Sequence, residues 1–196
     1  TYINHRTTII ISLSNTVSCF SIFTILNYYI IKRGLYMKSL WENYFSKKTV
    51  DPIKVALKSV PIFFNLSTSQ IKEITRFVHK RNYKKGEAIF KKNAPGEGMY
   101  IIISGQVIIK DPDSKIIFAT LNNNNFFGEM ALLDEEPRSA LAEASEPSIL
   151  IGFFRPDLMT LVSRFPEIGN KILINLSKVL AERLRESNKI LMQKSD

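Results

Sequence analysis

The sequence predicts a mainly β fold, a small roll or barrel, with α-helices at both ends. Three observations support it. Between residues 77 and 154 the chain is a succession of short runs rich in β-branched and aromatic residues, each closed by Gly, Pro, Asn or Asp. Apolar residues at helical spacing occur only before and after that region. The chain has 196 residues, 45% of them hydrophobic, enough for one solid core with little left for a second.

Taken in order, 52–57 and 68–76 read as short helices, the second with Ser67 or Thr68 as N-cap and Glu73 early in it. Strands follow at 77–83 and 88–90. Residues 94–107 then read as turn, strand, tight turn, strand, with Gly105 in the tight turn. Further strands fall at 116–121, 140–144 and 148–154. Two helices close the chain. One covers 157–163, and a long one covers 166–192, with Leu173, Leu176, Leu180 and Leu184 at helical spacing and Leu191 on the same side. That stripe exceeds what a small roll covers, which leaves two readings open: pairing with a second copy of the chain, or packing along the roll.

Residues 127–140, Phe-Gly-Glu-Met-Ala-Leu-Leu-Asp-Glu-Glu-Pro-Arg-Ser-Ala, concentrate the chemistry. Gly128 lets backbone approach a ligand closely, and the helix-prone run after it aims first-turn N–H groups at a negative charge. Pro137 stops that short helix and sends Arg138 into the next strand, its planar fork suited to two phosphate oxygens. Ser139 adds a hydroxyl. A carboxylate at Glu129, beside a phosphate, needs a neutral donor such as a ribose hydroxyl. Asp134, Glu135 and Glu136 read as a solvated loop rather than as an acid–base pair.

These residues resemble the phosphate-binding cassette of the cyclic nucleotide-binding domain family, found in catabolite-activator-type regulators, cyclic-nucleotide-dependent kinases and cyclic-nucleotide-gated channels. The Phe-Gly-Glu opening, the small residue at Ala131, the Pro137–Arg138 pair and the Ser139–Ala140 ending all match, and the likeness extends over about 51–192. It implies a double-stranded β-helix, a jelly-roll-like β-roll with a long C-terminal helix. It further implies that Glu129 takes the ribose 2'-hydroxyl, that Arg138 and the cassette N–H groups take the cyclic phosphate, and that Ser139 contacts phosphate or base. The implied ligand-binding set is Gly128, Glu129, Met130, Ala131, Arg138, Ser139 and Ala140, with Ile109 and Phe118 as apolar walls for the base. Family members that favour cyclic GMP often carry Thr after the cassette arginine, so Ser139 points to cyclic AMP, with cyclic GMP left open. Four consecutive asparagines, Asn122 to Asn125, stand where the family often has glycines; Asn tolerates left-handed backbone, so the loop still turns.

The functional expectation is a non-catalytic cyclic nucleotide sensor, probing ligand through the cassette and signalling through its C-terminal helix. Alternatives are a ligand-free roll for dimerisation or docking, and the cytoplasmic regulatory end of a gated membrane protein. One cysteine, Cys19, provides no internal disulfide or cysteine-based zinc site, and two histidines, His5 and His79, provide no metal cluster or Ser-His-Asp set. No metal, no other cofactor and no catalysis are therefore expected. Residues 37–92 hold thirteen Lys or Arg against four Asp or Glu, whereas 93–196 hold eleven against fourteen, so the cassette region is not a basic nucleic-acid surface, and no DNA-binding domain is expected in this chain. Lys84, Lys85, Lys91 and Lys92 read as solvated strand ends, with a face for an anionic partner or lipid as the alternative.

The domain reading is 51–196 for the ligand domain, 37–50 for a lead-in, and 1–36 for a membrane segment or extraneous upstream sequence. Residues 9–31 carry no charge and are long enough to cross a bilayer, with Lys32, Arg33 and Lys38 after them, which would put the roll on the cytoplasmic face. Ser, Thr and Asn dilute the run, and Met37 offers a later start. The expected location is cytoplasmic, free or tethered by 9–31.

Overall fold

The computed structural model describes residues 51–193. The expectations placed on 1–36 and on the lead-in at 37–50, including the span at 9–31, Cys19 and His5, lie outside the described residues. Among the described residues no helix is long and apolar enough to cross a membrane.

Asp51 starts helix α1 (Pro52–Ser59): its carboxylate accepts from the Ile53 N–H at 3.0 Å, and Pro52 stands where no intrahelical N–H is needed. A 3₁₀ turn (Pro61–Phe63) leads to α2 (Thr68–Ile74). There the N-cap is Ser67, whose Oγ accepts from Gln70 N–H at 3.2 Å while Gln70 Oε1 accepts from Ser67 N–H at 3.0 Å. Glu73 takes no part in that box and pairs with Arg76 instead.

Eight strands follow: β1 (Val78–Tyr83), β2 (Ala88–Phe90), β3 (Gly98–Ser104), β4 (Val107–Lys110), β5 (Ile117–Leu121), β6 (Phe126–Phe127), β7 (Leu141–Ala144) and β8 (Ser148–Phe154). They pair antiparallel in two four-stranded sheets, β1-β8-β3-β6 and β2-β7-β4-β5. This is the β-roll with flanking helices that the sequence predicts. Only the two-residue β6 has no counterpart among the sequence-predicted strands.

The uninterrupted apolar run of β3 follows from burial on both faces. Met99 and Ile101 point to the core shared with the helices, while Tyr100 and Ile102 point between the sheets. Burying a side chain such as Ile101 contributes roughly 1.5–3 kcal/mol. The asparagine loop turns as expected: Asn124 has φ +66°, and Asn125 closes the bend by accepting from the Asn122 N–H at 2.9 Å.

Helices α3 (Arg155–Arg164) and α4 (Pro166–Gln193) lie over the first sheet's outer core. They approach closely at Gly169, where a Cβ would sit 2.6 Å from the Val162 Cα. The buried stripe of α4 is Ile168, Ile172, Leu176 and Val179, with Leu173 and Leu180 half-buried beside it. The leucine stripe read from the sequence therefore splits: its first part packs on the roll, whereas Leu184 is 62% exposed.

The lysines at the strand ends divide as well. Lys92 holds Asp111 and Asp113, each at 2.7 Å, and this keeps the Asp111 carboxyl well below the usual carboxylate range. Lys84, Lys85 and Lys91 are exposed and make no ion pair among the described residues.

Candidate functional site

Gly128 opens the site. Its φ of +76° is left-handed, and a Cβ there would stand 2.7 Å from Arg138 Nη1, so both conformation and space ask for glycine. The run after it forms a four-residue 3₁₀ turn (Glu129–Leu132) rather than an α-helical start. Arg138 does not enter a strand, since β7 begins at Leu141. Its backbone is fixed instead by two bonds to the preceding loop, Arg138 N–H to Ala94 O and Asn93 N–H to Arg138 O, both 2.8 Å.

The Arg138 side chain is buried. Nη1 donates to Gly128 O at 3.2 Å, Nη2 donates to Gly98 O at 2.6 Å, and the guanidinium lies 4.2 Å from the Phe90 ring centroid. Burial pulls its pKa down from the ordinary arginine value, partly opposed by Tyr100, Glu97, Asp134 and Glu129. Nε has no partner. An ion pair between Glu129 and Arg138 is not formed.

Glu129 is 1% exposed. Its Oε1 accepts from Nη1 of Arg183, which reaches in from α4, while Oε2 is buried without a partner. The Arg183 guanidinium sits 5.0 Å from the Phe126 ring centroid. A carboxylate expected to face only a ligand hydroxyl is thus also tied to the C-terminal helix.

These groups surround a cavity of about 520 Å³, within the range of small-molecule sites. All seven residues of the expected set, Gly128, Glu129, Met130, Ala131, Arg138, Ser139 and Ala140, line it. Phe90, Ala119, Leu121, Phe126 and Phe127 form its apolar part with Ile109. Phe118, the other expected wall, is 59% exposed and takes no part in the lining. Among the described residues no group of three His, Cys, Asp or Glu is placed to hold a metal ion.

Residues 80–165 match the family model of the cyclic nucleotide-binding domain. This chain contains a cyclic nucleotide-binding domain. A Cyclic AMP receptor protein of Thermus thermophilus is 33% identical over 67% of this chain and 61% of its own length. A cyclic nucleotide-gated potassium channel of Rhizobium etli is 35% identical over 58% of this chain and 31% of the channel. Among solved structures, a cyclic nucleotide-binding domain from Methylobacillus flagellatus superposes with a TM-score of 0.62 at 28% identity, covering 78% of this chain and 85% of that one. The chain thus spans less than two thirds of the first two relatives.

Arg183, Phe90 and Phe126 are among the residues that line the cavity without belonging to the set expected from the sequence. Arg183 lies 54 residues from Glu129, beyond the cassette signature, and only the seating of α4 brings it in. The aromatic residues Phe126 and Phe127 directly before Gly128 were the available signal for the apolar wall.

Proposed function

We propose that this domain is a non-catalytic cyclic nucleotide sensor that binds a 3',5'-cyclic nucleotide, cyclic AMP by preference, in the cavity behind the cassette. Arg138 supplies the positive charge for the cyclic phosphate, and its Nε has no partner within the protein. Glu129 Oε2 accepts from the ribose 2'-hydroxyl. The apolar part of the cavity takes the base. One observation carries the reading: the two charged side chains of the cassette are buried against one cavity, and each keeps an unpartnered polar atom. A buried unsatisfied group costs about 1–3 kcal/mol, which a ligand hydroxyl or phosphate would offset. A ligand-free docking module has no use for either group.

Occupancy is read out through α4, because Arg183 shares the Glu129 carboxylate with the ligand. A ligand that favours one seating of the helix shifts its population toward that seating. The exposed Leu184, Ile190 and Met192 on the far part of α4 support a second role for the helix in pairing with another copy, which sedimentation of the chain at rising concentration would detect. Membrane tethering stays a sequence expectation alone.

The ribose assignment is tested by Glu129→Gln. The substitution should weaken cyclic AMP more than 2'-deoxy cyclic AMP, because the analogue has already lost the partner hydroxyl. Equal weakening of both ligands would make Glu129 a purely structural partner of Arg183.

A further inference from the structure

Five charged side chains line the cavity: the cations Arg138 and Arg183, and the carboxylates Glu129, Asp134 and Glu136. Arg183 is engaged by Glu129. Arg138 is the one lining cation without a carboxylate in hydrogen-bond or ion-pair contact, its Nη atoms being turned to backbone carbonyls. Asp134 and Glu136 make no ion pair among the described residues, although their neighbour Glu135 pairs with Arg155 at 2.5 Å. Their loop is also held in place. The Glu136 carbonyl oxygen packs against Gly96 so closely that a Cβ on that glycine would sit 2.7 Å away. Asp134 is near enough to Arg138 for its charge to help keep the guanidinium protonated.

From this balance we infer that the cavity selects a singly charged phosphodiester over a doubly charged phosphomonoester, with Asp134 and Glu136 as the specificity-determining residues. The inference rests on the phosphate role given to Arg138 above. One negative charge is matched by Arg138. A second finds no uncommitted cation and meets the like charge of two further carboxylates on the cavity lining, Asp134 half-buried and Glu136 exposed. The device would keep out the ring-opened nucleotide, which presents the same base and ribose but carries the extra charge near neutral pH.

The two kinds of phosphate respond differently to pH. A monoester loses its second proton with a pKa of about 6, whereas a diester keeps one charge across the range from about 5 to 8. The full 196-residue chain is titrated with cyclic AMP, 5'-AMP and the methyl ester of 5'-AMP at pH 5.0 and 7.5 and constant ionic strength. The affinity of 5'-AMP relative to cyclic AMP is expected to improve about tenfold at the lower pH, a change of about 1.4 kcal/mol. The methyl ester, a linear diester, should bind better than 5'-AMP at pH 7.5 and show no such dependence. Asp134→Asn combined with Glu136→Gln should narrow the gap between 5'-AMP and cyclic AMP at pH 7.5, with the variant's melting temperature reporting an intact fold.

A relative affinity that does not change with pH overturns the inference, and so does a gap that survives the double substitution. Should the variant fail to fold, the pH series on the unaltered protein decides alone. Absence of cyclic AMP binding would overturn the site reading together with this one. Cyclic AMP binding without charge discrimination would overturn this one only.

Discussion

Separating Glu129 from Arg183 should loosen α4 from the roll by a measurable amount. The perturbation is a double-mutant cycle of Glu129→Gln, Arg183→Met and the two combined. Methionine keeps an apolar stem beside Phe126, and glutamine removes the charge while retaining the shape. The Glu129 side chain is 2% exposed and that of Arg183 is 47% exposed. Fully exposed ion pairs contribute about 0.2–1 kcal/mol, and breaking a fully buried one costs about 3–5 kcal/mol. With one member buried and the other half in water, the solvent-discounted coupling should be about 1–2 kcal/mol. Urea denaturation of the four proteins measures it, with the coupling read as the departure from additivity. A coupling below about 0.3 kcal/mol would refute the claim that this pair joins the cassette to the helix.

Two other expectations concern selectivity and acid stability. Ser139→Thr should raise the affinity for cyclic GMP relative to cyclic AMP by one hydrogen bond, about 0.5–1.5 kcal/mol, because threonine's methyl fixes the hydroxyl rotamer; parallel titrations with both nucleotides check it, and an unchanged ratio would confine Ser139 to the phosphate. Lys92 holds the Asp111 carboxyl below its unfolded value, so that contribution is present above about pH 4 and is lost as pH falls through the folded value. Thermal melts of Asp111→Asn should accordingly show a deficit against the parent at pH 6 that shrinks below about pH 4.

The cassette was legible because its parts are contiguous. Gly128, Glu129 and Arg138 sit in one fourteen-residue stretch whose local geometry brings them together, whatever the rest of the chain does. The strands were legible for a related reason, since turn residues punctuate every run. Phe118 was misplaced because strand register was not. In the β4–β5 ladder Ile109 pairs with Ala119 and Lys110 with Ile117, so a bulge falls at Phe118 and turns it to solvent, while Ala119 and Leu121 face the cavity. Arg138 was expected to open a strand, but its backbone bonds to residues 93 and 94, a long-range pairing with no signature in its neighbours. Arg183 is the clearest gap. It lies on an α4 face whose helical period is plain, yet nothing in that period says which turn reaches the roll. The buried stripe ends at Val179, and only the packed structure shows Arg183 one turn further on, over Phe126.

The central claim, that Arg138 anchors the phosphate of a cyclic nucleotide in this cavity, is tested most directly by calorimetric titration of the full chain and its Arg138→Ala variant with cyclic AMP. The guanidinium also holds the carbonyls of Gly98 and Gly128, so the variant's melting temperature is recorded beside the titration. The account predicts saturable binding by the parent and a loss of about 2–4 kcal/mol in the variant, the scale of truncating a buried charged partner. Equal affinity of a folded variant and the parent for cyclic AMP would contradict it.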